Sequence, residues 1–151
     1  MRFVCVRIDH LPVQVETLLN ANLAGKPIVI LRAWDDRVID AAPEAGMCGV
    51  ARGDSRQRVE QLCPQAVTLA AQEALYQSYH DRLRAALLTF TNTVETFDLG
   101  ELLVEVGALA RTFPSEENLA LQILSRVEIT TRLRPAVGIA RPPVDVAPGD
   151  P

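Results

Sequence analysis

"TVETFDLGELLVEV", Thr93–Val106, decides the fold. Thr93 to Asp98 and Glu101 to Val106 are strand-like runs, and the Leu99-Gly100 pair between them marks a β-hairpin. Upstream runs the longest helical pattern, roughly Gln72 to Phe90. There Leu75, Tyr79, Leu83, Ala86, Leu87 and Phe90 recur at three- and four-residue steps along one face. Downstream, Ser115 caps a second long helix whose inner face carries Leu119, Ile123, Leu124 and Val127. A β-branched strand, Arg2 to Ile8, opens the chain, and "PAVGIA", Pro135–Ala140, reads as the last strand. Strand, helix, hairpin, helix, strand is the order of a ferredoxin-like core of the α/β (α+β) class.

The segment between the first strand and the long helix reads as an inserted lobe. Val13, Val15, Leu18 and Leu19 follow Pro12 at helical spacing, and proline suits a first helical turn. Pro27 to Leu31 and Val38 to Ala42 are short buried strands separated by the turn "DDR". Pro43 to Val50 reads as one helical turn closed by Gly49. A helix within Gly53 to Pro64 has Asp54 or Ser55 as its cap, and Ala66 to Ala71 is a short strand. The end, "RPPVDVAPGDP", holds four prolines in eleven residues and reads as linker or tail.

At 151 residues with 48 % hydrophobic and 23 % charged residues, the chain can build a globular core. Its net charge of −4 gives no global attraction to nucleic acid or anionic membrane, so any DNA contact needs a local patch. Cys5, Cys48 and Cys63 lack zinc-site spacing. Cys5 and Cys63 read as small core residues, and no secretory signal or membrane-length apolar run is evident. These features fit a cytoplasmic protein with no membrane role.

Arg7 stands in an apolar strand two residues before Asp9. A guanidinium buried there needs a carboxylate, Glu101 first and then Asp9 or Asp98, and the alternative is that Arg7 reaches solvent at the strand end. Asp98, Glu101 and Glu105 could instead form a metal cluster, although solvated hairpin charges are the commoner arrangement. His10 and His80 have no partner motif and read as surface residues. Arg52, Arg56 and Arg58 form a basic cluster in the inserted lobe. It could touch a phosphate backbone, but more often such a cluster is a solvated helix face.

Four stretches in this order resemble Y-family translesion DNA polymerases. They are "VRIDHLPVQVETLLNANLAGKPIVI" from Val6, "AAPEAGMCGVARGDSRQRVEQLCPQAV" from Ala41, "VETFDLGELLVEV" from Val94, and "PAVGIA". The resemblance covers Arg2 to Ala140. It implies a palm at 1–10 and 71–140, a fingers lobe at 11–70, a tail at 141–151, and no thumb or little finger.

That family performs phosphoryl transfer with two metal ions held by clustered carboxylates. On its pattern, the first catalytic aspartate falls on Arg7 and the hairpin aspartate on Gly100, while the glutamate remains as Glu101. The triphosphate grips fall on Pro43 and Gly46, the ribose gate on Pro12, and the palm lysine on Pro143, with Arg141 beside it. The resemblance therefore implies a pseudo-polymerase of the ImuB type, not an enzyme and without cofactors. It implies a scaffold for a RecA-like accessory protein, a sliding clamp and an error-prone polymerase, with weak or indirect DNA contact. A truncated metal-dependent nucleotidyl transferase and a ferredoxin-like interaction module without a DNA role are the alternatives.

Overall fold

The computed structural model describes residues 2–140. The described residues divide into two compact units, residues 2–9 with 77–140 and residues 10–76. No helix among the described residues is long and apolar enough to cross a membrane.

The first unit is built on β1 (Phe3–Arg7), β5 (Val94–Asp98), β6 (Glu101–Glu105) and β7 (Ala136–Ala140). They form one sheet in the order β5-β6-β1-β7, with every neighbouring pair antiparallel. Helix α4 (Glu73–Leu87) connects into β5, and α5 (Glu116–Thr131) leads into β7. This is the mixed helix-and-sheet, ferredoxin-like arrangement that the hairpin and its flanking helices predict. Val6 of β1, Leu102 and Val104 of β6, Leu83 and Leu87 of α4, and Val127 of α5 are all 0 % exposed. Burying each such side chain contributes about 1.5–3 kcal/mol, so this apolar layer is the main stabilising term of the unit.

Local chemistry sets the helix ends. Ser115 Oγ accepts the Asn118 N–H at 3.0 Å, and Glu116 and Glu117 place negative charge in the first turn of α5. Helix α4 stops at Leu87, short of the expected Phe90. There the Thr89 hydroxyl donates to the Ala86 carbonyl at 2.6 Å and competes with the helical ladder.

The second unit holds a three-stranded sheet of β2 (Ile28–Leu31), β3 (Val38–Ala41) and β4 (Val67–Ala70), in the order β3-β2-β4. Strand β2 pairs antiparallel with β3 and parallel with β4. It is buried along its whole length, which explains its unbroken apolar sequence "IVIL". Helices α1 (Leu11–Leu19), α2 (Pro43–Gly46) and α3 (Arg56–Leu62) belong to the same unit. Pro12 and Pro43 each lie in a first turn, where the missing N–H loses no hydrogen bond. Of the two proposed caps for α3, Ser55 is the one used, its hydroxyl accepting the Arg58 N–H at 3.1 Å. Val29, Leu31, Val38, Ala45, Val59 and Cys63 form the core.

Candidate functional site

Strand β1 delivers Arg7 to the end of the sheet. Its register partners are Glu101 on β6 and Ala136 on β7. The side chain is 42 % exposed, and its Nε donates to Asp9 Oδ1 at 2.9 Å. The expectation of a guanidinium buried in a strand is thus corrected. At a strand end the aliphatic stem lies along the sheet while the charged head reaches water and a carboxylate two residues on. Glu101 lies beside it in register, and the salt bridge runs to Asp9. Near this charge cluster the Cys5 thiol is pushed up, first by burial and then by the Glu101 carboxylate, with Arg7 opposing.

Gly100 occupies the hairpin turn with φ +76, a conformation that suits glycine. Its carbonyl accepts the Ile8 N–H at 2.8 Å, and its own N–H donates to His80 Nδ1 at 2.8 Å. His80 is only 1 % exposed, which corrects its reading as a surface residue. A helical histidine with no sequence motif beside it gives no signal that a turn amide will be its partner. Because an amide N–H can only donate, Nδ1 must be the bare nitrogen, and Nε2–H then donates to Thr96 Oγ1 at 3.1 Å. Burial is the largest cause that lowers the imidazole pKa; Arg84 adds to it, while Asp81 and Asp98 oppose it.

The hairpin acids are occupied locally. Asp98 Oδ1 accepts the Leu99 N–H at 2.8 Å, and Glu105 Oε1 accepts the Gly107 N–H. Among the described residues no group of three or more His, Cys, Asp or Glu could hold a metal ion. Divalent ions need several hard oxygen ligands, and the Arg7 guanidinium beside these carboxylates repels them. Arg7, Gly100 and Glu101 with Asp9 therefore do not fit a two-metal centre.

The second unit carries a cavity of ≈ 270 Å³ lined by His10, Asp40, Ala42, Pro43, Gly46 and Arg52, among others. Its polar floor is Asp40, 6 % exposed, which sequence reading passes over as part of a strand. Asp40 Oδ1 lies 2.8 Å from His10 Nδ1, and Oδ2 accepts the Val13 N–H at 3.2 Å. The carboxylate thus satisfies a free amide of the first turn of α1, the task that a capping side chain performs elsewhere. Asp40→Ala is expected to lower stability by about 1–2 kcal/mol in chemical denaturation, as for a lost helix cap. A loss below about 0.3 kcal/mol would show that water replaces the carboxylate.

The basic cluster is only partly available. Arg56 makes a two-point pair with Asp36, at 2.7 Å and 3.1 Å, which holds the Asp36 carboxyl below its ordinary range. Arg52 and Arg58 are exposed. Pro12 is buried in the first turn of α1, and Pro143 and Arg141 lie outside the described residues, as does the proposed tail at 141–151.

The impB/mucB/samB family model matches residues 6–144. DNA polymerase IV 2 of Mesorhizobium japonicum is 30 % identical over 134 residues, covering 89 % of this chain and 32 % of that protein. DNA polymerase IV of Dehalococcoides mccartyi is 29 % identical over 141 residues, covering 92 % of this chain and 36 % of that protein. Among solved structures, DinB from Sulfolobus solfataricus superposes with TM-score 0.84 at 24 % identity, over 93 % of this chain and 42 % of that one. A Dbh ternary complex gives 0.82 at 25 % identity, over 93 % and 42 %. The chain spans about a third of the length of the curated relatives it matches.

These findings correct the expectation of a protein that is not an enzyme. The relatives, at 27–30 % identity, are named DNA polymerase IV, an enzyme name that runs against a silent protein. The match across nearly the whole length, on a palm-like sheet with its own second unit, shows that this chain belongs to the impB/mucB/samB family of UmuC/DinB-like, Y-family polymerases.

Proposed function

We propose that this chain supplies the palm and fingers of a Y-family protein that works in translesion DNA synthesis at damaged DNA, in the cytoplasm. The observation that carries this reading is the match of the impB/mucB/samB family model to residues 6–144 of a chain whose first unit has the sheet order β5-β6-β1-β7. In this reading the palm is 1–10 with 71–140, the fingers 11–70, and the tail 141–151. The boundaries of the two compact units, after Asp9 and after Tyr76, support that division.

The finer part of the reading concerns partners. The protein joins a RecA-like accessory protein, a sliding clamp and an error-prone polymerase at the lesion, and Arg52 and Arg58 supply its contact with the DNA backbone. Arg56 contributes less, because its guanidinium is already paired with Asp36. Arg7, Gly100, Pro12, Pro43, Gly46 and Pro143 mark where ligand and nucleotide positions carry other residues, which makes the catalytic test decisive.

The test is primer extension opposite an abasic site by the full chain with magnesium or manganese and deoxynucleotides, beside primer-template binding read by fluorescence anisotropy. Extension, or salt-sensitive binding that weakens several-fold in Arg52→Ala/Arg58→Ala, supports the reading. Failure to bind, failure to extend and capture of no repair protein from a DNA-damaged lysate would together overturn it.

A further inference from the structure

Two thiols meet in the core of the second unit, where the turn after α2 abuts the end of α3. Cys63 is the C-cap of α3 and is 1 % exposed. Cys48 is half-buried and packs against the same apolar cluster. After burial, the neighbouring Cys48 side chain is the next cause that raises the Cys63 thiol pKa. Cys48 Sγ also receives the Gln65 side-chain N–H at 3.8 Å and faces the Glu44 carbonyl at 3.8 Å. The residues beside the two cysteines also meet, since a Cβ on Gly49 would stand 3.8 Å from the Leu62 side chain at Cδ2. All three cysteines of the chain are free.

We propose that Cys48 and Cys63 form a reversible oxidation site, converted by hydrogen peroxide into a disulfide within one chain. Cys48, the more accessible sulfur, reacts first as its thiolate. It attacks one peroxide oxygen, the O–O bond breaks, and the departing hydroxide takes a proton to become water, leaving a sulfenic acid on Cys48. The Cys63 sulfur then attacks the Cys48 sulfur and loses its proton. The S–O bond breaks and a second water leaves. The pair gives two electrons to the peroxide, so two thiols and one hydrogen peroxide become one disulfide and two waters. Burial pushes the Cys63 thiol up and shields it from solvent, so Cys48 is the sulfur that meets peroxide first.

The bond would tie the wall of the cavity to α3. Cys48 lies between Gly46 and Val50, both of which line the cavity that holds His10, Asp40 and Arg52. Closing the loop from residue 48 to residue 63 also constrains the unfolded chain. The proposal is independent of the translesion reading.

The test exposes the full chain to hydrogen peroxide, labels the remaining thiols, and maps a non-reducing digest by mass spectrometry. The expected result is loss of two of the three thiols, with Cys5 still labelled and a Cys48–Cys63 cross-linked peptide that dithiothreitol abolishes. The oxidised chain should melt roughly 4 °C or more above the reduced one. Cys5→Ser should keep the cross-link, and Cys48→Ser should lose it. Loss of one thiol per chain to sulfinic acid, or disulfide-linked dimers through Cys48, would overturn the proposal.

Discussion

His80→Ala is expected to destabilise the first unit by about 3–5 kcal/mol, the sum of a core cavity and a stranded buried amide. His80 is 1 % exposed and supports two hydrogen bonds, to Gly100 N–H at 2.8 Å and to Thr96 Oγ1 at 3.1 Å. Through Gly100 it reaches β1, because the Gly100 carbonyl accepts the Ile8 N–H at 2.8 Å. Removing the imidazole therefore loosens the turn that anchors the end of β1 to the hairpin. His80→Asn separates size from chemistry. Its amide oxygen takes roughly the place of Nδ1 and accepts the same N–H, so it should recover a substantial part of the loss. Guanidinium denaturation measures both variants, and hydrogen exchange at the Gly100 amide localises the effect. Equal destabilisation by Ala and Asn would show that the Gly100 bond contributes nothing.

The same residue sets a pH dependence whose sign follows from its environment. Burial, with Arg84 adding, lowers the His80 pKa in the folded state below its ordinary value. The unfolded chain binds the proton more readily, starting near the ordinary imidazole pKa of about 6.5. The contribution of His80 is therefore complete above about pH 6.5 and is lost as pH falls through the lower folded value. Protonation also places a second donor against the Gly100 N–H. Asp81 and Asp98 work in the opposite direction and limit the shift. Denaturation midpoints between pH 7.5 and 5 should fall more steeply for the parent than for His80→Asn. Parallel profiles would remove His80 as the source.

What the sequence discloses follows the range of the interactions involved. The hairpin, the long α4 and α5 helices and the Ser115 cap are legible because their signals are periodic or lie within four residues. The role of His80 is not, because its partners lie 16 and 20 residues away and one of them is a backbone amide. Arg7 is visible as an anomaly, yet its burial is misjudged, since the strand "FVCVR" ends on it and frees the guanidinium. Asp40 hides inside "VIDAA" because only the fold brings it under His10 and Val13, which are 30 and 27 residues away. Family membership is legible from four ordered stretches. The enzyme name of the relatives is not, because reading Arg7 and Gly100 as replaced carboxylates leads to the expectation of a silent protein.

Tyr76→Phe is expected to destabilise the second unit by about 1.5–3 kcal/mol, the range for hydrogen bonds to charged groups. Glu16 is 8 % exposed on α1, and a carboxylate so placed needs donors. Tyr76 OH supplies one at 2.5 Å, and Gln72 Nε2 reaches both carboxylate oxygens at 2.9 and 3.2 Å. The tyrosine is 0 % exposed, and burial, reinforced by the hydrogen bond to Glu16, raises its pKa far above the ordinary phenol value. It therefore remains a donor throughout the physiological range. Phenylalanine fills the same volume, so no cavity term enters, and the measured loss is that of a buried carboxylate left with one donor. Glu16→Gln should be less damaging, because an amide oxygen still accepts while the charge that needs solvation is gone. In the double variant the missing hydroxyl should matter less than it does beside the carboxylate, giving a coupling of about 1 kcal/mol or more. Additive losses in that cycle would mean that Glu16 is solvated without Tyr76, and that shape alone fixes α1 to the start of α4.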